Sequence, residues 1–161
     1  MTDSETPYPA RKRLNHEVPF GVDAASAFFF VTVCATERDA APFVPLAEQI
    51  LDSVRFRQSA GIWFVSLFLV MPDHAHMLVH VPPHVSLADV IGNWKHYLAH
   101  RHGLSFQRDF FETRIRDDAH YAEKWDYIVR NPVARGLVAT PREWPHVIAF
   151  DRATGLERPH R

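Results

Sequence analysis

Val70-Met71-Pro72-Asp73-His74-Ala75-His76-Met77-Leu78-Val79 reads as a turn followed by a strand. Residues i and i+2 of a strand share one face, so His74 and His76 project together while Ala75 and Met77 point to the core. Two imidazoles on one face can hold a divalent ion if a third ligand joins them. Working outward, Ile62–Val70 forms the preceding strand, apolar at nearly every position, and His74–Val81 the following one. Upstream, Ala27–Cys34 reads as a strand. Residues Leu46 to Gln58 read as a helix whose stripe is Leu46, Ala47, Ile50, Leu51 and Val54, with Pro45 just before it. Downstream, Leu87–His102 is a helix started by Ser86 and stopped by Gly103, and Phe110–Arg116 is a fourth strand. The order β-α-β-β-α-β defines an α+β fold of the ferredoxin-like or RRM-like type. The His74 strand is central, the helices take one sheet face, and the other face stays open. The Ile62–Val70 strand would lie at a sheet edge, and an edge so apolar is normally covered or paired, which allows a dimer.

Asp117 to Pro132 reads as a further helix, N-capped by Asp117 or Asp118 and ended by Pro132. Tyr121, Trp125, Ile128 and Val129 make its buried stripe. Glu123, Tyr127 and Asn131 are spaced by four and therefore share another edge. This added C-terminal helix can cover the open sheet face above the histidines.

Two segments about fifty residues apart thus offer two imidazoles, a phenol and an amide. Together with Phe29-Phe30-Val31-Thr32-Val33, Phe106 to Arg116, and the run from Tyr127 through Pro132 to Trp144-Pro145, they resemble the single-tyrosine HUH transposases, most closely the REP-associated tyrosine transposases. The resemblance spans about residues 28 to 146. It implies a metal-dependent endonuclease and strand transferase that cuts and rejoins single-stranded DNA beside a hairpin. In those roles Tyr127 would be the nucleophile and His74, His76 and Asn131 would hold Mg²⁺ or Mn²⁺. The REP-associated branch also favours a monomer.

Composition agrees with one domain. The 161 residues, 47% of them hydrophobic, can bury a full core. Residues 1–24 read as a flexible arm, 25–150 as the domain and 151–161 as a tail. The polar, acidic start argues against a secretory leader. The single cysteine, Cys34, excludes an internal disulfide, reads as a core residue and fits a reducing cytoplasm. The formal net charge of −1 is unusual for a nucleic-acid binder. Between Asn93 and Arg116, however, Lys95, Arg101, Arg108, Arg114 and Arg116 outnumber Asp109 and Glu112, a local +3. Arg11-Lys12-Arg13 is a second basic cluster, so Arg11, Lys12, Arg13, Lys95, Arg114 and Arg116 are the candidate DNA contacts.

Three other functions use the same features. An RRM-like binding module would need exposed aromatic residues on the central strands, where this chain has His74, His76, Leu78 and His80. A metal-dependent hydrolase would use bound water in place of Tyr127. A domesticated relative would bind hairpin DNA without moving it.

Overall fold

The computed structural model describes residues 27–159. Its elements are β1 (Phe29–Cys34), α1 (Ala47–Ser59), β2 (Phe64–Val70), β3 (His74–His80), α2 (Leu87–His102), β4 (Phe111–Arg114), α3 (Asp118–Ala134) and β5 (Val147–Ala149). The strands form one antiparallel sheet in the order β4-β1-β3-β2-β5. The first four strands and two helices give the expected α+β pattern with β3 at the centre.

Alternation along the strands separates two cores. Val31, Val33, Phe68, Met77 and Val79 face α1 and α2, where they meet Ile50, Val54, Ile91, Trp94 and Leu98. Phe28, Leu67, Leu69 and Leu78 face the other way and pack with Ile128 of α3 and with Trp144. Trp94 is fully buried, so it removes a full aromatic surface from water, a gain of about 2–3 kcal/mol. Its indole N–H donates to Ser53 Oγ at 2.9 Å, which leaves no orphan polar group there. Cys34 is a buried core residue, as expected.

The ends of α2 fall where expected. Ser86 Oγ accepts from the Asp89 amide, and Gly103, with φ of 70°, supplies the left-handed exit. At α3, Asp117 is the N-cap and accepts from the His120 amide at 2.7 Å. Pro132 does not end this helix, which runs on to Ala134. The turn survives the missing proline N–H because amides beyond it close the helix: Arg135 donates to Asn131 O and Leu137 to Pro132 O. Gly136, φ 71°, then leads the chain away.

The expected apolar edge does not exist, because β5 pairs with β2 through Leu67↔Ala149, Phe68↔Ile148 and Leu69↔Val147. Trp144 Nε1–H also donates to Val70 O at 2.9 Å, and the Val70 amide to His146 O at 2.8 Å. A strand lined on both faces and paired on both edges has reason to be apolar throughout. The apolarity therefore reflects burial within this chain, and the sequence argument for a dimer lapses. Nor do residues 151–159 trail as a free tail. Glu157 pairs with Arg55 at 2.9 Å and bridges to Phe150, and the Arg158 amide donates to Ala149 O.

A bulge between Val65 and Leu67 breaks the β2–β3 register. It turns Ser66 as well as Leu67 toward α3, where Ser66 Oγ accepts from the Tyr121 hydroxyl at 2.7 Å. The bulge thus docks the first turns of α3 on the sheet.

Candidate active site

His74 and His76 lie mid-sheet on the face under α3, each 1% exposed, with their Nε2 atoms 3.1 Å apart. Each ring is fixed from behind. Asp73 Oδ1 accepts from His74 Nδ1 at 2.7 Å, while Asp73 Oδ2 accepts from Arg38 Nε at 2.7 Å. Burial alone would raise the Asp73 carboxyl, but the hydrogen bonds from His74 and Arg38 outweigh it and hold the group far below the usual carboxylate range. An ionised carboxylate only accepts, so His74 Nδ1 must carry a proton, and Nε2 is the atom turned toward His76. His76 Nδ1 lies 2.7 Å from Thr32 Oγ1, its cross-strand partner on β1. A hydroxyl can donate or accept, so His76 can present either N–H or a lone pair to His74. Burial and then the charges of His74 and Arg135 push the His76 pKa well below its ordinary value, keeping the ring neutral and able to act as a ligand.

α3 brings the other half. Asn131, 6% exposed, places Nδ2 3.4 Å from His76 Nε2, while its Oδ1 is buried and has no hydrogen-bond partner. One helical turn earlier, Tyr127 is 47% exposed and sets its ring edge-on to His76 (centroids 5.6 Å) and to Phe30 (5.9 Å). Phe30 in turn stacks on His76 at 5.4 Å. The phenol is thereby held beside the imidazoles at the rim of the site. Glu123, on the same row, is exposed.

The donor set suits a divalent cation. Two imidazole lone pairs 3.1 Å apart repel unless a proton or a cation lies between them, and the buried Asn131 amide adds an oxygen that nothing else satisfies. Among the described residues no group of three or more His, Cys, Asp or Glu side chains is placed to hold a metal. The Asn131 amide is the further side chain beside the pair, and its oxygen is a hard donor of the kind that Mg²⁺ or Mn²⁺ takes.

The basic residues singled out in the sequence separate by face. Arg11, Lys12 and Arg13 lie outside the described residues. Lys95 is on α2, in the layer opposite Tyr127, and its Nζ donates to the carbonyls of Gln107 and Arg108. Arg114 pairs in register with Phe29 and rests 6.0 Å from that ring, so it also faces the α1/α2 side. Arg116 alone of the described candidates joins the α3 side, where it lines a small cavity of about 190 Å³ with Phe28, Tyr121 and Arg152. Sequence reasoning missed Thr32, Asp73, Arg38 and Phe30. Two of them carried a signal: Thr32 is the hydroxyl in an otherwise apolar strand, and Asp73 directly precedes His74. The α3 helix also covers the central strands, so the sheet does not offer the open aromatic platform of an RRM-like binder.

A family model described as Transposase IS200 like matches residues 31–120. That span includes both histidines and stops short of Tyr127 and Asn131. A Haemophilus influenzae protein named as a REP-associated tyrosine transposase is 30% identical over 94 residues, covering 48% of this chain and 53% of that one. A REP-associated tyrosine transposase of Escherichia coli is 31% identical over 86 residues, covering 50% and 51%. The chain thus spans about half the length of the curated relatives it matches. A solved REP-associated tyrosine transposase bound to a REP hairpin superposes with a TM-score of 0.69 at 21% identity, over 83% of this chain and 82% of that one, and shares the fold.

Proposed function

Since the chain belongs to the IS200-like transposase family, we propose that it binds, cleaves and rejoins single-stranded DNA beside a hairpin through a covalent phosphotyrosine at Tyr127. The observation that carries this reading is the convergence, from β3 and α3, of His74, His76, Asn131 and a half-exposed Tyr127 at one spot on the sheet. Similarity to a transposase solved with a REP hairpin supports a hairpin-bearing substrate.

In this reading the Tyr127 oxygen attacks a phosphodiester in line. A bond forms between that oxygen and phosphorus, the bond to the 3′-oxygen breaks, and the products are a 5′-phosphotyrosine and a 3′-hydroxyl. The reverse attack by a 3′-hydroxyl rejoins the strand, because the phosphotyrosine conserves the bond energy. His74, His76 and the Asn131 oxygen would hold Mg²⁺ or Mn²⁺, which when bound polarises the phosphate and offsets developing charge. Asp73 and Thr32 orient the two rings, and Arg38 fixes Asp73. Phe30 and His76 restrict the Tyr127 ring, so the nucleophile is aimed before substrate arrives.

Labelled single-stranded hairpin DNA incubated with the protein and Mn²⁺, then resolved on a denaturing gel, tests the proposal. Wild type should give a protein–DNA adduct and a free 3′-hydroxyl fragment, and Tyr127→Phe neither. A 5′-phosphate product without an adduct would move the assignment to a hydrolase in which water attacks.

A further inference from the structure

Cationic side chains in this protein are held in two ways. Arg38, Arg55, Arg130 and Arg158 sit against carboxylates at 2.7 to 3.4 Å, which cancels their charge locally. Others rest on aromatic rings, which hold a cation without neutralising it. On the α1/α2 side these are Arg57 over Tyr97, Lys95 over Phe106 and Arg114 over Phe29. On the Tyr127 side there are two. Lys124 Nζ lies 5.2 Å from the Phe30 ring and 5.9 Å from that of Tyr127. The Arg152 guanidinium lies 4.9 Å from Phe28 and 4.7 Å from Tyr121.

We propose that Lys124 and Arg152 form a phosphate-binding track for the single strand that flanks the phosphate attacked by Tyr127, a role that rests on the function proposed above. Lys124 projects one turn before Tyr127, over the Tyr127 ring itself and over Phe30, one of the two rings that aim the phenol. Among the described residues its carboxylate neighbour is Glu123, which is exposed and stands at 4.0 Å, the outer limit of an ion pair. Arg152 comes from the segment after β5 and settles on Tyr121, six positions and about 9 Å along the α3 axis from Tyr127. Arg152 is exposed and has no ion pair among the described residues, although Asp117 and Asp118 line the same cavity. The Asp117 carboxylate is engaged in capping α3. Arg116, also exposed, continues the basic lining beside Arg152.

A guanidinium pinned between two rings has already given up its rotamer freedom, so little entropy is lost when a phosphate arrives. The arrangement also explains how a chain with a net charge of −1 can bind a polyanion. Net charge sums over the whole chain, whereas Lys124 and Arg152 stand on the rings beside Tyr127.

The test measures anisotropy of fluorescein-labelled, mixed-sequence single-stranded DNA on a Tyr127→Phe background, which blocks cleavage but keeps the ring under Lys124. Lys124→Met and Arg152→Met, which keep the apolar stems, should each weaken binding roughly three- to tenfold at low salt and lower the salt slope by about 0.7. Lys124→Arg and Arg152→Lys should restore the slope. Arg57→Met, an aromatic-seated cation on the opposite layer, should change neither. Folded Met variants that bind with unaltered affinity and slope would overturn the track, while adduct formation by the Tyr127 protein would leave the catalytic reading standing. A Tyr127→Phe protein with no affinity for the strand overturns the track, and a Tyr127 protein that forms no adduct overturns the reading beneath it.

Discussion

Asn131→Leu separates a ligand from a merely structural residue, because the two roles predict opposite effects on stability. Asn131 is 6% exposed, its Oδ1 has no partner, and its Nδ2 makes one long contact of 3.4 Å to His76. A buried acceptor without a partner costs about 1–3 kcal/mol, while one long hydrogen bond returns no more than about 1 kcal/mol. Leucine, with the same number of side-chain heavy atoms and the same branching, removes both terms and buries an apolar group in their place. The variant should therefore be as stable as wild type, or more stable by up to about 2 kcal/mol. At roughly 2–4 °C per kcal/mol for a chain of this size, that is a rise of several degrees in Tm, read by thermal denaturation without divalent ions. The same change deletes the oxygen ligand, so Mn²⁺ affinity by calorimetry should fall by about tenfold or more, with loss of adduct. Asn131→Asp, which keeps an oxygen, should retain metal binding. A protein that melts several degrees lower than wild type yet binds Mn²⁺ and forms adduct normally would refute the assignment.

His74→Ala and His76→Ala should fold but lose Mn²⁺ affinity in calorimetry, and unchanged affinity in both would exclude the pair as ligands. Ala75→Asp, between them but on the other face and fully buried beside Val33 and Val70, should cost more than about 4 kcal/mol. Its loss of structure would be plain by circular dichroism, and a stable variant would mean that the strand's two faces are misassigned. Ile148→Pro removes a ladder residue opposite Phe68 and uncovers the β2 edge. It should lower the urea midpoint and promote self-association in sedimentation, and a monomer of wild-type stability would show that β5 is dispensable.

Local periodicity was enough to place most of the fold. Strand alternation put His74 and His76 on one face and Ala75 on the other, and the spacing of four put Tyr127 and Asn131 on one edge of α3, because such relations need only the geometry of a single element. The element order likewise followed from runs, caps and breakers. The partners from other segments escaped that reasoning. Thr32 reaches His76 across 44 residues of chain and Arg38 reaches Asp73 across 35. β5 is three residues long, too short to carry a period, and exists because β2 offers it an edge. Pro132 looked like a stop from its own chemistry, yet the helix passes it by bonding the amides beyond. Arg152, in a stretch that read as tail, acquires its place only when Phe28 and Tyr121 come together beneath it. Net charge is blind to such placement for the same reason: it sums over the chain and does not say which cations the fold sets against carboxylates and which on rings. Sequence determined what each element is and which way its side chains point; packing decided what those side chains meet, since contacts between distant segments form only when the chain closes on itself.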